Sequence, residues 1–382
     1  MKNTIKVFGI IALAAVIGFS MTACGEEDDS PKPQKSQSVI DEVTAIAYGN
    51  GKFVAVGYSI NYSTETYTKT YTNKIATSTD GVTWTAVTQS VFGDDAYING
   101  IVYGNGKFVA YNYSKGNDNT KIATSTDGVT WTSADVNNIF NINEIQIVFG
   151  NGKFVAVGYS YSINYSTYTS TQKIATSTDG VIWTTADVSS IFSSYYINSI
   201  NSISYCNGKF FAVGSYSNTP KILTSTDGIT WTAVTQSVFG DDDYIHGIVY
   251  GNGKFFAVGR GRKMATSTDG VTWTASGFIS CEGIDEIVYG NGKFVAVGTS
   301  YDRSPETFTA KMATSTDGIT WTEVDIGNLF NCVITDKGTT YSGSYISAIV
   351  YGGGKFVAGG GDGVIATSTD GIKWTKSVIN HK

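Results

Sequence analysis

Side chains able to do chemistry are unevenly spread along this chain. Its only arginines, Arg260, Arg262 and Arg303, lie in the stretch that also carries His246, Asp285 and Glu286. A guanidinium fork beside carboxylates and an imidazole can grip an anion or pass a proton. The same residues spread over a surface would form exposed ion pairs of small energetic weight. A second group is aromatic. Tyr62, Tyr67, Tyr111, Tyr161, Tyr165 and Tyr301 stand among serines, threonines and asparagines, a mixture that supplies rigid amphipathic contact area with adaptable hydrogen bonding. Tyrosine and threonine are also good strand formers, so the plainer alternative is that these segments only lengthen hairpins. No metal site is signalled: His246 and His381 are the only histidines, and no cysteine pair has ligand spacing. No cofactor motif occurs, and the formal charge of −6 offers no basic face to a nucleic acid.

What must position these residues is a repeat. Trp84, Trp131, Trp183, Trp231, Trp273, Trp321 and Trp374 recur at spacings of 42 to 53 residues, the period of a propeller blade. In the second copy an apolar run from Ile98 to Tyr103 meets a turn at Gly104-Asn105-Gly106, then a second run from Lys107 to Ala110. A variable stretch follows, then Lys121 to Ser125, a turn at Asp127-Gly128, and Thr130-Trp131-Thr132. Each run is too short for a helix, is rich in β-branched and aromatic residues, and is bounded by dipeptides that tolerate positive φ. Four strands per copy follow, named A to D. The A strands are apolar on both faces, as in Ile248-Val249-Tyr250, so both faces of each sheet need cover, which radial stacking provides. The expectation is an all-β, seven-bladed β-propeller with four antiparallel strands per blade across 39–382. Blades are expected near 43–92, 98–140, 144–192, 200–239, 245–279, 284–330 and 346–379. An open solenoid would need polar capping repeats, whereas the first and last copies here keep the apolar pattern.

The phrase Ser78-Thr79-Asp80-Gly81-Val82-Thr83-Trp84 returns in every copy with small changes. It resembles the Asp-box of sialidase-like β-propellers, one residue shorter between Asp and Trp. The resemblance implies a structural role for Asp80, Asp127, Asp179, Asp227, Asp269, Asp317 and Asp370: each carboxylate caps a C–D turn while the tryptophan packs between sheets. Catalytic relatives of that family grip their substrate with an arginine triad drawn from separate blades, and the confinement of arginine to two neighbouring copies does not match it. A two-carboxylate glycosidase stays open, because it needs only two acids roughly 5–9.5 Å apart. Asp94-Asp95, Asp241-Asp242-Asp243, Asp285 and Glu286 all fall on one rim. Against it, Thr88 to Asp95 and Thr235 to Asp242 are nearly the same segment, which reads as duplicated scaffold.

Strand order gives the propeller two unlike rims. The A–B and C–D turns share one and are nearly identical among copies; the B–C and D–A connections share the other and differ in length and chemistry, so recognition is expected there. The chain starts with Lys2, Lys6 and an apolar run of roughly 14 residues, too short for the ~20 a bilayer span needs. Residues 1–23 therefore read as a signal peptide. Met21-Thr22-Ala23-Cys24 resembles the lipobox of bacterial lipoproteins, which implies lipidation of Cys24 and a membrane anchor. Residues 24–38, acidic and then rich in proline, serine and glutamine, read as a tether. Cys206 replaces a turn glycine, and Cys281 with Cys332 could pair in an exported chain. The functional expectation is an exported, lipid-anchored propeller, at the outer membrane or cell surface, that binds a glycan or protein ligand. A glycoside hydrolase is the alternative.

Overall fold

The computed structural model describes residues 40–62, 69–89, 91–93, 96–114, 121–136, 144–164, 167–186, 188, 199–216, 219–235, 238–240, 245–259, 263–278, 284–303, 306–336 and 339–380. Within them the chain forms seven antiparallel sheets whose strands follow sequence order, one sheet per copy of the repeat. Blade one is typical, with strands A to D at Glu42–Gly49, Lys52–Tyr62, Lys69–Ser78 and Thr83–Val87. Its A–B turn is tight because Asn50 (φ 49°) and Gly51 (φ 71°) both take the left-handed conformation that a two-residue hairpin requires.

The core lies between blades. Seven apolar clusters are present, and each draws its residues from two neighbouring sheets. One joins Ile40, Val43 and Trp84 of blade one to Ala348, Val357 and Ile365 of blade seven, so the stack closes into a ring rather than an open solenoid. Glycine before the A–B turn makes this approach possible. A Cβ on Gly49 would lie 2.0 Å from the ring of Tyr103 in blade two, and one on Gly352 would lie 2.2 Å from the ring of Tyr48. Blade four has Cys206 at this position. Its side chain packs against the apolar cluster shared by blades four and five, and burial pushes the thiol up to about 12.

Each C–D turn is held by its own aspartate. In blade one the amides of Val82 and Thr83 both donate to Asp80 Oδ1 at 2.8 Å, the Ser78 hydroxyl donates to the same oxygen at 2.9 Å, and the Gly81 amide donates to Ser78 Oγ at 2.8 Å. The indole of Trp84 donates to Gly81 O at 3.0 Å, tying the turn to the core. The same turn is built around Asp127, Asp179, Asp227, Asp269, Asp317 and Asp370. Backbone amides aimed at the carboxylate pull the acids of Asp80, Asp127, Asp227 and Asp317 down to about 2. Blade five departs in one respect: the Trp273 indole N–H is buried without a partner.

These turns also clip the blades together. Lys52 at the A–B turn of blade one donates to the carbonyl of Asp127 in blade two (2.7 Å), and Asn105, Asn151, Lys209 and Asn252 carry the pattern on to the next blade. Asn291 and Lys293 join blade six to blade seven, and Lys355 of blade seven donates to Asp80 O at 2.7 Å. All seven interfaces are bridged on this one rim.

Two features go beyond four strands per blade. The last strand, Val378–Asn380, leaves blade seven and pairs in parallel with Thr83–Thr85, giving blade one a fifth, outermost strand. Ser377 crosses the seam and donates to Gly81 O at 2.9 Å. Between blades six and seven a hairpin, Asn331–Asp336 with Thr339–Ser344, rests on strand C of blade six, where the Ala310 amide donates to Ser344 Oγ at 2.8 Å.

The turn chemistry fixes two expectations. Asp127→Ala leaves the amides of Val129 and Thr130 without an acceptor and should cost roughly 1–3 kcal/mol in urea unfolding; an unchanged midpoint would show that the turn does not need its carboxylate. Because these acids are depressed in the folded state, their stabilisation is present above pH ~4 and is lost as pH falls through about 2. Acid unfolding followed by circular dichroism should therefore steepen between pH ~4 and ~2, and a flat response across that interval would contradict the assignment.

Candidate functional site

The rim opposite the clips is irregular. Strands B and C are long in blade one, in blade three (Lys153–Asn164 and Thr167–Ser177) and in blade six (Lys293–Arg303 and Glu306–Ser315). They are short in blade five (Lys254–Gly259 and Lys263–Ser267) and in blade seven (Lys355–Gly360 and Ile365–Ser368). At ~3.3 Å per residue the long hairpins stand about 15 Å above the short ones. Tyr62 and Tyr161 occupy these projecting strands opposite Lys69 and Ser170, and Tyr301 faces Phe308. Tyr67, Tyr165, Arg260 and Arg262 lie outside the described residues, as do Cys24, Cys281, Asp94, Asp95, Asp241, Asp242 and Asp243.

The described members of the charged group are not drawn to one point. Arg303 stands opposite Glu306 in the strand register at the far end of the blade-six hairpin, five residues beyond Gly298, which faces Ile284. That is ~16 Å of strand away from Asp285 and Glu286. His246 and Asp285 lie on strand A of blades five and six at the channel mouth. Glu286 Oε2 accepts from the Ile349 amide of blade seven at 2.8 Å.

Tyr111 needs correction as a loop residue. It stands within strand B of blade two, opposite Gly100, and only 8% of it is exposed. A glycine at 100 lets the phenol cross the inner strand, since a Cβ there would lie 2.1 Å from its oxygen. The hydroxyl hydrogen-bonds the backbone of Ile147 in blade three, and burial pushes it up to about 12. Strand A is the inner edge of each sheet, with its outward backbone groups unpaired. Ile147, Ile248 and Ile349 hold one register, opposite Ala156, Ala257 and Ala358, and are met by Tyr111, Ser204 and Glu286 of the preceding blade. Tyr111 is thus part of the inter-blade packing, and Glu286 has a backbone-capping role.

A further cluster on this rim is absent from the sequence reading. At the seam of blades seven and one, the hydroxyl of Tyr345 donates to the carboxyl of Glu42, which is 7% exposed. The short B–C turn of blade seven docks there: the Gly363 amide donates to Asp41 O at 3.0 Å, and Asp41 Oδ2 accepts from the Ile60 amide at 2.8 Å. Burial raises the Glu42 acid to about 8, with Asp362 and Asp41 adding to the rise and the Tyr345 bond opposing it. Beside it Tyr58, Tyr71 and Tyr97 form a half-buried triangle with centroid separations of 5.5, 5.2 and 4.6 Å. Burial raises the Tyr58 phenol too. Glu42 was hidden by repetition, because Ile40-Asp41-Glu42 and Ile284-Asp285-Glu286 are the same tripeptide placed at different depths of strand A.

Comparison with known proteins agrees on architecture. Residues 177–288 match the family model described as a DUF6242 beta propeller domain. No curated protein matches the chain. Among solved structures, one described as YCF48 bound to D1 peptide is similar over 86% of this chain and 93% of its own, at 14% identity and a TM-score of 0.56. The β-propeller domain of the Trilobed protease from Pyrococcus furiosus is similar over 87% of this chain and 96% of its own, at 10% identity and a TM-score of 0.51. YCF48 from Cyanidioschyzon merolae is similar over 88% and 96%, at 16% identity and a TM-score of 0.50. At these identities the likeness establishes the fold.

The Glu42 environment predicts an unusual pH dependence. A carboxyl raised in the folded state favours folding fully below pH 4.5, and this contribution is lost as pH rises through about 8. Glu42→Gln keeps an acceptor for Tyr345 and removes the titration. The variant should gain on the wild type by an amount that grows from pH ~5 to ~9, on the order of 3–5 kcal/mol in all, measured by urea unfolding. A difference independent of pH would contradict the buried-acid assignment.

Proposed function

We propose that this chain is an exported binding propeller, tied to a membrane through Cys24, whose ligand is a glycan or a protein taken on the irregular rim. One observation carries the reading: all inter-blade clips and boxed turns occupy one rim, while hairpins of differing length, an inserted hairpin and half-buried tyrosines occupy the other. A face whose geometry is spent on closing the ring is a poor place for recognition. Loops on a rigid scaffold are a good one. The seven boxed turns also support kinship with Asp-box propellers, in which this turn is structural. A protein ligand is compatible with the peptide-bound state of the similar YCF48 propeller.

The anchor bears on geometry. Ile40 is fully buried at the seam on the irregular rim, so a tether of ~15 residues would leave from the ligand face itself. Fully extended it reaches about 50 Å, enough for that face to tilt clear of a bilayer. Multiple acyl chains hold where a single one is marginal, each buried methylene contributing ~0.8 kcal/mol. Cys24→Ser should move the protein from the membrane to the soluble fraction. Unchanged fractionation, with no lipid mass on the wild type, would refute the anchor.

Recognition and stability should separate by rim. Replacing Tyr62, Tyr67, Tyr161 and Tyr165 together with serine removes four amphipathic aromatic groups from the variable stretches of blades one and three. The expected result is at least ~10-fold weaker binding of whatever ligand a glycan and matrix-protein array reveals, with little change in melting temperature. Normal binding by this variant would remove the hairpin tyrosines from the ligand face. Turnover of a chromogenic glycoside, lost in Asp285→Ala, would replace the binding role with a hydrolytic one.

A further inference from the structure

The regular rim carries an apolar feature that ring closure does not use. Nine large apolar side chains are exposed among the described residues, and seven of them lie on the C–D turns. Six occupy one position, directly after the turn glycine: Val129, Val181, Ile229, Val271, Ile319 and Ile372, each 41–49% exposed. Ile182, the next residue in blade three, is 74% exposed. Blade one has Val82 at the repeated position, half-buried. None of these side chains belongs to the seven apolar clusters. The turn uses only the amide at this position, which donates to the boxed aspartate in every blade. Strand propensity does not require an aliphatic residue either, since threonine, also β-branched, fills the next position in five blades.

Charge surrounds these tips in both signs. Each turn holds one boxed aspartate, whose carboxylate the turn amides keep ionised, and each strand B opens on this rim with a lysine. The ammonium groups of Lys52, Lys209, Lys293 and Lys355 sit 2.6–3.1 Å from the aspartate carbonyl of the following blade, two residues before that blade's tip. The rim therefore repeats acid, aliphatic and base around its circumference, and these aspartates and lysines cancel. A nucleic acid or an anionic membrane wants a basic face, which this rim is not. A bilayer would have to take up the ionised carboxylates along with the tips, and stripping water from them is costly.

We propose that the regular rim is a self-association surface on which a second copy of this chain docks face to face. This inference stands apart from the ligand reading of the irregular rim. One turn repeated seven times offers no unique address to a foreign ligand, and the partner that repeats the same spacing is the same rim. Related by a two-fold axis, the lysines of one copy can stand over the aspartates of the other and the reverse, as an isologous contact requires. The tips leave on the order of 500 Å² of aliphatic surface. Two copies would bury about 1,000 Å² of it, the area that a specific interface must clear. Each copy has one such rim, so the contact closes at two copies and leaves the irregular rims facing away from each other.

The test uses the full chain in detergent, followed by sedimentation equilibrium with the detergent matched to the solvent density. A dimer in the micromolar range is expected, with no larger species. Ile182→Thr, which gives blade three the residue of blade two, should weaken it ~10-fold, and Ile229→Glu with Ile319→Glu should weaken it ~100-fold or more. Both variants should keep the circular dichroism spectrum of the wild type, because the side chains they replace stand outside the core. Carbodiimide treatment of mixed unlabelled and isotope-labelled protein should join lysine to aspartate between copies, through peptides of the A–B and C–D turns. A monomer at every concentration would overturn the proposal, as would dimers that survive the glutamate substitutions or cross-links confined to the irregular rim. Flotation of the Cys24→Ser protein with phosphatidylcholine vesicles, lost on the glutamate substitutions, would give the rim to a bilayer and overturn it too. Ligand binding on the irregular rim is read separately by the tyrosine variant, so either reading can fail alone.

Discussion

The structure depends on a backbone carbonyl that each C–D turn offers to the blade before it. Asp127 O is within reach of Lys52, and Asp80 O within reach of Lys355, only because the aspartate side chain of each turn fixes the backbone that presents them. Capping and clipping are one interaction. The carboxylate satisfies the turn amides, the settled turn exposes its carbonyl, and the neighbouring A–B turn uses it. Seven such links and seven shared apolar clusters close the circle, and the blade-one sheet joins the two ends of the described chain. The closing strand, Val378–Asn380, adds to the outside of blade one rather than completing an inner position.

With the ring secured on one rim, the other is relieved of that task. Blade three can carry strands of 12 and 11 residues beside blade five with 6 and 5, because nothing in the inter-blade packing requires equal length. At the channel, the inner-edge amides of strand A still need partners. Tyr111, Ser204 and Glu286 supply them at one register with three unrelated side chains. The buried Glu42 acid at the ring seam follows from the same geometry, since the turn of blade seven folds down over the first residues of blade one and shuts water out.

Most of the fold was legible in the sequence because the signals repeat. The Asn-Gly and Asp-Gly turns, the apolar A and B runs and the seven tryptophans carry their meaning locally: Asp80 accepts from the amides of its own C–D turn, and the Trp84 indole donates to Gly81 O. The candidate site was far less legible. Tyr111 looked like a loop tyrosine because strand length in the variable stretches is set by neighbours and not by composition. Glu286 looked like free chemistry because its partner, the Ile349 amide, lies 63 positions away on the next blade. The closing strand and the hairpin at Asn331–Ser344 were missed for a different reason: each breaks the repeat, and it was the repeat that was being read.

The central claim is that one rim closes the ring as a single cooperative unit and the other is free to vary. Hydrogen–deuterium exchange resolved by peptide mass spectrometry measures this directly. Amides held by the boxed aspartates, such as Val82, Val129, Ile229 and Ile319, should exchange slowly and together, through global opening. Those in the blade-one and blade-three hairpins beyond Ser59 and Ser160 should exchange much faster. Boxed turns that open one blade at a time, or hairpin amides as protected as the turns, would contradict the account.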